Sequence, residues 1–506
     1  MIFDHIIVGA GSAGCVLASR LTEDPRSKVL LLEAGPRDSS PWIHIPVGYG
    51  KLFTRTDVNW AYESEPEAAL DGRRVFTPRG KVLGGSSSIN GLVYIRGQRE
   101  DFDGWGVRGW DFAALEPYFE KAERTLKVSR LDRHELCEAF IAAARSLGIP
   151  PSANFNGPTQ EGTGYYHVTS YRGRRRSTAV AYLREAEKRP NLRVETGALV
   201  SRVLFENQAA CGVEYRQHGR RVIAQGREVI LSGGTFNSPQ LLELSGIGKK
   251  SLLEEKGIPV VHDAPDVGER LQDHFYVRTF WRCRKPITLN DEVMTLWRKA
   301  RMGLQYALYR TGPLTVSGGH AAAFVRTRPG LERPDAQIYL INFSALQRGG
   351  VLHPHSGFTC GVSQLQVESR GSSHVRSGDA TQPPSIRYNY LATETDRRMM
   401  VEGLKIARRI CEAPPMREYV EAEFMPGPRV QSDADWLGYC REMGETVFHP
   451  TSTCSLGRVV DEQLRVKGVH NLRVVDASVL PAVPSGNINA AVIAVAEKAA
   501  DLVKAQ

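Results

Sequence analysis

The chain begins with an apolar run that stops abruptly at glycine. Phe3-Asp4-His5-Ile6-Ile7-Val8 has the length and content of a short buried strand, and Gly9-Ala10-Gly11-Ser12-Ala13-Gly14 follows at once. Cys15 to Leu21 has helical composition, and Lys28-Val29-Leu30-Leu31-Leu32-Glu33 reads as a second buried strand. Loop punctuation comes next, at Pro36, Pro41, Pro46 and Gly48, before a second glycine and serine cluster, Gly84-Gly85-Ser86-Ser87-Ser88-Ile89-Asn90. Residues 111–147 carry helical stripes, first Ala113, Leu115, Tyr118 and Phe119, then Ala139 to Leu147. Strands are expected at 190–194, 200–205 and 213–215, and Val229-Ile230-Leu231-Ser232-Gly233-Gly234 is a buried strand ending in glycines. Leu241 to Gly248 reads as a helix closed by glycine.

Between 275 and 445 the pattern changes. Alternation at 336–341 and 360–367 predicts an antiparallel sheet with one face less apolar, and Arg397 to Cys411 an amphipathic helix. Asn471 to Asp476 then returns to a strand, and Asn489 to Val503 is a long Ala-rich helix. The order predicts an α/β protein: a discontinuous Rossmann-type nucleotide domain with an antiparallel-sheet cap inserted into it. The nucleotide domain takes residues 1–100, 190–275 and 446–506, and the cap takes 101–189 and 276–445.

Strand, glycine turn, helix and strand, with an acid closing the second strand, form the βαβ dinucleotide fingerprint in its required setting. Gly9, Gly11 and Gly14 have separate tasks there. They permit the tight turn, let the backbone approach a pyrophosphate, and let helix and strand pack closely. Glu33 stands about 20 residues on, where a carboxylate accepts from ribose hydroxyls. A tight turn that binds nothing would not need the two strands and the acid together.

Composition narrows the classes. The 506 residues are 42% hydrophobic and 24% charged, ordinary globular values that exclude a disordered or fibrous chain. The net charge of +9 is a modest excess. Its densest run, Arg172, Arg174, Arg175 and Arg176, reads first as a solvated face and second as an anion or membrane-surface patch, and nothing else supports nucleic-acid binding. No stretch reaches the ~20 apolar residues of a membrane span. Cys15, Cys137, Cys211, Cys283, Cys360, Cys411, Cys440 and Cys454 form no C-x-x-C pair, and no cluster has metal-ligand spacing. A reducing, cytoplasmic setting is the first expectation, with peripheral membrane association second.

Four separated segments resemble the glucose–methanol–choline (GMC) flavoprotein oxidoreductases, in the family's order. They are the N-terminal fingerprint; Gly80-Lys81-Val82-Leu83-Gly84-Gly85-Ser86-Ser87-Ser88-Ile89-Asn90; Gly234-Thr235-Phe236-Asn237-Ser238-Pro239-Gln240-Leu241-Leu242-Glu243-Leu244-Ser245-Gly246-Ile247-Gly248; and His449-Pro450 with Asn487-Ile488-Asn489. Pro265 to His274 is similar to a further recurrent segment, and the first half looks most like the bacterial choline and aliphatic alcohol dehydrogenase branch. The resemblance implies FAD, oxidation of a primary alcohol to the aldehyde, and O2 or a quinone- or dye-type electron acceptor. It implies His449 as catalytic base and Asn487 as its partner, holding the substrate oxygen. Asn489 would contact the flavin, with helix capping as its structural reading. Gly84, Gly85, Ser86 and Asn90 would admit the flavin ring, and Ser12, Ala13, Ala34, Gly91, Val93, Val203, Asp476 and Ala477 would complete the cofactor site. Where relatives link the flavin covalently through histidine this chain has Ile89, so the resemblance implies non-covalent FAD.

Three departures bear on the substrate. Ser452 replaces a glycine of the His-Pro loop, Ala491 replaces a frequent proline, and the usual H-G-x-x-G-P-L segment is missing after Arg124. The expected substrate is a small-to-medium alcohol with an apolar or aromatic body, neutral or cationic. A non-redox hydroxynitrile-lyase-like enzyme and an FAD photodecarboxylase-like enzyme are the alternatives on the same fold.

Overall fold

A computed structural model describes residues 2–346 and 349–505. The glycine-ended runs become neighbours in one sheet. Its order is Leu192–Thr196, Val29–Glu33, Ile2–Val8, Arg220–Leu231, Ala209–Gln217, Ala198–Glu206, with Leu472–Val474 also pairing with Arg220–Leu231. Ile2–Val8, Val29–Glu33, Leu192–Thr196 and Leu472–Val474 run parallel to their partners, and Val29–Glu33 is buried along its whole length, as a strand covered on both faces must be. Helices Ser12–Leu21 and Asn489–Lys504 pack together on this sheet. The glycine-ended strands and the N-termini of both helices meet at one edge. That edge is where ligands bind in open α/β sheets.

The second sheet is antiparallel. Its order is Val420–Met425, Phe275–Cys283, Gly357–Gln364, Ala336–Ile341, Ala321–Val325, Gly162–Tyr165. One face is less apolar, as expected, carrying Gln337, Tyr339, Thr359 and Ser363, but it is not solvated: Ala336–Ile341 and Gly357–Gln364 are buried on both faces. Ile338, Leu340, Cys360 and Val362 pack with Met399, Met400 and Leu404 of helix Glu394–Glu412. The opposite face, with Tyr339 and Tyr276, packs with Val93 and Tyr166 and turns toward the first domain.

One element boundary also moves. The helix expected at 241–248 spans Gly234–Leu244, because it starts directly off the strand at Gly234; Ile247–Gly248 is a short strand. The segment 101–189 divides between two cores. Phe112, Leu115, Phe119, Tyr182 and Leu183 pack with the nucleotide domain, whereas Leu136, Phe140 and Ala144 pack with the cap. No helix among the described residues is long and apolar enough to cross a membrane.

Candidate active site

A cavity lies at the ligand-binding edge of the first sheet. It extends from the glycine turn to His449. Gly9, Gly11, Ser12, Ala13, Glu33, Ala34, Gly85, Ser86, Asn90, Gly91, Val93, Asp476, Ala477, His449, Asn487 and Asn489 all line it, as does Ile89. Gly14, Gly84 and Val203 lie outside it. A Cβ on Gly14 would meet the Gly9 carbonyl oxygen at 1.9 Å, so this glycine serves helix–strand packing. Gly84 N donates to Ala10 O at 2.7 Å and joins the two glycine turns. Val203 N donates to Ser245 Oγ, and its neighbours Ala198, Leu199 and Val200 line the cavity instead.

The end near the glycine turn suits an adenine dinucleotide such as FAD. Helix Ser12–Leu21 has no side-chain cap, so its first amides are left to a ligand at the cavity. Gly11 and Gly85 approach so closely that a Cβ on Gly85 would stand 2.7 Å from Gly11 Cα. Glu33 accepts from Ala10 N at 2.9 Å and Gly35 N at 2.8 Å, and burial pushes its carboxyl up to about 7. Each oxygen keeps a second lone pair, so the carboxylate can hold the turn and also accept from a ribose. Asp476 accepts from Gly234 N at 2.8 Å and from Ser238 and Ser478 hydroxyls; burial raises its pKa too. Asn489 does not cap its helix. Its Oδ1 accepts from Ser12 Oγ at 2.7 Å, tying the two helix N-termini together.

At the other end a chain of directed hydrogen bonds surrounds His449. The Leu365 carbonyl can only accept, so His274 Nε2, 3.2 Å away, carries the proton of that pair. His274 is fully buried, and desolvation lowers its pKa to about 4; it is neutral, with a bare Nδ1. His449 Nδ1 lies 3.0 Å from that nitrogen and must therefore donate to it. His449 Nε2 is then the acceptor, facing Asn487 Nδ2 at 3.0 Å. The amide is oriented from the cap: Tyr339 Oη donates to Gln337 Oε1 at 2.8 Å, and Gln337 Nε2 faces Asn487 Oδ1 at 3.4 Å. The geometry holds a neutral imidazole with its accepting nitrogen at the cavity, as a base for a hydroxyl proton requires.

The backbone around His449 is held as firmly. Buried Asp273, raised by burial to about 6, accepts from His449 N at 2.7 Å and from the Tyr390 and Thr446 hydroxyls. Phe448 takes φ +72 and Ser452 φ +80, left-handed values that cost a non-glycine residue about 1–2 kcal/mol each. Ser452 thus keeps a glycine-like backbone, and its hydroxyl pairs with Thr451 Oγ1 at 3.0 Å. The substitution adds strain without remaking the loop.

The basic run does not behave as a solvated face throughout. Arg172 and Arg174 are exposed, but Arg175 is buried. Its guanidinium donates to Ile43 O, Ser87 O and Asn90 Oδ1 and O, and burial lowers its pKa to about 9. It clamps the second glycine loop. Tyr94, Trp105 and Trp110 are core residues, and His320 is bonded to Asp132 O, away from the cavity. Among the described residues no cluster could hold a metal ion.

His274, Asp273 and Gln337 carry no functional reading from the sequence, and Arg175 reads there only as part of a basic run. Asp273-His274 had a signal, since it closes a segment quoted for its resemblance, but a lone histidine is more often structural. Alternation puts Gln337 and Tyr339 on one strand face; which face meets the site is decided by the packing.

A family model described as GMC oxidoreductase matches residues 3–276, and its C-terminal counterpart matches residues 367–496. The chain is 43% identical to the mitochondrial choline dehydrogenase of Mus musculus over 99% of its own length and 89% of that protein's. It is 40% identical to the alcohol dehydrogenase [acceptor] of Pseudomonas putida over 99% of its own length and 96% of that protein's. Among solved structures, a mutant of Aspergillus oryzae RIB40 formate oxidase, studied for its effect on FAD modification, superposes with a TM-score of 0.93 at 27% identity, covering 99% of this chain and 98% of that one.

Two outcomes are expected from this geometry. Ser452→Ala should be less stable than Ser452→Gly by about 1 kcal/mol, because only glycine relieves a positive φ; urea unfolding of both variants measures the difference. His274 makes the parent lose stability as pH falls. The unfolded chain takes up a proton below 6.5, the folded protein only below about 4, a penalty of about 3 kcal/mol. His274→Asn should remove this pH dependence, read as a smaller loss in unfolding midpoint between neutral and acid buffers.

Proposed function

The chain belongs to the GMC oxidoreductase family and is an FAD-dependent oxidoreductase acting on an alcohol CH–OH donor; we propose that His449 is its base and that the alcohol is primary with a largely apolar body. The observation that carries this reading is the directed chain Leu365–His274–His449–Asn487, which presents His449 Nε2 to the cavity as an acceptor. Bound FAD would supply the two-electron acceptor for a hydride from the carbinol carbon. It would be held by Gly11, Ser12, Ala13, Glu33 and the Gly85–Asn90 loop.

His449 Nε2 takes the hydroxyl proton. The imidazolium so formed keeps its Nδ1–H bond to His274, which stabilises the charged form in a buried setting. Asn487 Nδ2 sits against the same nitrogen and can turn its donor to the substrate oxygen. The walls near His449 include Phe53, Leu92, Val447 and Phe448, and they would exclude water and favour an apolar alcohol. The carboxylates lining the cavity, Glu33 and Asp476, already accept from backbone amides near the glycine turns. That argues for apolar contact and against ion pairing as the source of selectivity.

Choline is the second reading. The choline dehydrogenases among the relatives favour it, and the Phe53–Phe448 pair, with ring centroids 5.4 Å apart, could hold a quaternary ammonium through cation–π attraction. A lyase and a photodecarboxylase gain no support, since the relatives reported above are oxidoreductases. The electron acceptor is O2 or a quinone- or dye-type molecule.

Mixed anaerobically with a series of alkanols, benzylic alcohols and choline, the holoenzyme should be reduced, fastest by the substrate class it serves. A polyol preference would overturn the apolar assignment. His449→Ala should slow flavin reduction by about 10²–10⁴-fold with a near-normal flavin spectrum, and Asn487→Ala should slow it less. Equal rates in parent and His449→Ala would reject the base. With Ile89 at the wall, acid precipitation should release all flavin to the supernatant; a yellow pellet would refute non-covalent binding.

A further inference from the structure

Asn487 stands in a loop fastened at every second residue. Val483 N donates to Gln272 Oε1 at 3.0 Å, and Asn489 Oδ1 accepts from Ser12 Oγ at 2.7 Å. Between them Ser485 is fully buried and bonded through each of its polar atoms. Its amide donates to Asp101 Oδ2 at 2.6 Å, its hydroxyl donates to Asp101 Oδ1 at 2.9 Å, and its carbonyl accepts from Gln160 Nε2 at 3.0 Å. Only Gly486 separates Ser485 from Asn487. It takes φ +114 and lies against Ile95, whose Cγ2 a Cβ would meet at 2.6 Å. The loop has one residue in which to absorb any shift of Ser485, and that residue is packed.

Asp101 holds the cap as well. It lies in the first turn of helix Arg99–Asp103, where it accepts from Gln98 N at 2.8 Å, and Arg333 Nη1 donates to its Oδ1 at 2.5 Å. Gln98 Nε2 donates to Gln160 Oε1 at 2.9 Å and to Pro334 O at 3.0 Å. Arg333 and Pro334 lead into strand Ala336–Ile341, which carries Gln337 and Tyr339. On the way, Asp335 O accepts from the amide of Leu365, the residue whose carbonyl fixes the His274 proton. Asp101, Gln98, Gln160 and Arg333 are all outside the cavity wall.

We propose that Asp101 is a positioning residue for the oxidation: with Arg333 it fixes the Asn487 loop against the cap strand and so sets the Gln337–Asn487 contact. The proposal rests on the reading of Asn487 as the group that holds the substrate oxygen. At 3.4 Å that contact is longer than the other links around His449, so a small shift breaks it. Four donors converge on Asp101, two at each oxygen. An ionised carboxylate can accept all four, and the guanidinium supplies the counter-charge its burial requires. An asparagine would aim an NH2 at two donors whichever way it turned.

The test is a double-mutant cycle, read as the rate of anaerobic flavin reduction in the holoenzyme against the concentration of one alcohol that the parent oxidises. Asp101→Asn should lower the limiting rate about tenfold, because the orienting amide is misplaced. The apparent Kd for the alcohol should stay within about twofold of the parent, since the cavity wall is untouched. In an Asn487→Ala background the same change should cost less than about twofold, because the group it positions is gone. Arg333→Gln removes the partly exposed cation of the network and should act the same way with a smaller loss, about threefold. Should Asp101→Asn not retain FAD, Arg333→Gln carries the same criteria. A parent-like limiting rate, a loss confined to the apparent Kd, or an equal loss with and without the Asn487 amide overturns the proposal. An Asn487→Ala enzyme as fast as the parent instead removes the role of Asn487 itself, and the proposal falls with it by that separate result.

Discussion

A cavity at the end of a parallel sheet can take a dinucleotide only if backbone packs on backbone there, and this constraint governs the rest of the molecule. Gly9 lies so near Ser232 that a Cβ would meet its carbonyl oxygen at 2.4 Å, and Gly14 presses on Gly9 in turn. Gly85 closes on Gly11 from the second glycine loop. These approaches bring the N-termini of Ser12–Leu21 and Asn489–Lys504 together, where Ser12 Oγ bonds Asn489 Oδ1. Side chains there would fill the space where a pyrophosphate and a flavin must lie.

The end of the cavity at His449 depends on the first domain and the cap at once. His449 and Asn487 belong to segments beside the first sheet, but their orientation is imposed by groups from elsewhere. Leu365 O fixes the proton on His274, and Gln337 fixes the Asn487 amide. A buried neutral histidine can transmit direction because it has one donor and one acceptor. Asp273 adds a charged acceptor for the His449 amide, which offsets the strained Phe448 beside it. The site is preorganised by buried polar groups that are themselves held by hydrogen bonds.

The arginine run divides between the interior and the solvent. Arg175 is drawn inward because four acceptors of the Ile43 and Ser87–Asn90 backbone and side chain surround it, and a guanidinium with five donors can satisfy them. Its neighbours Arg172 and Arg174 stay in solvent. Alternation along a short strand puts adjacent residues on opposite sides.

The sequence by itself determined the nucleotide fold, because strand, glycine turn, helix and acid are local patterns with local physical causes. Glycine spacing fixed where a ligand could approach, and the two C-terminal asparagines with His449-Pro450 marked the catalytic segments by resemblance. Only the tertiary structure decided which nitrogen of His449 accepts a proton. That depends on Leu365, Gln337 and His274, which are distant in sequence, and on the burial that keeps His274 neutral. It also decided that Arg175 is buried, that the cap sheet is covered on both faces, and that 101–189 divides between two cores. Periodicity tells which residues share a face of an element; what covers that face depends on contacts made across the whole chain.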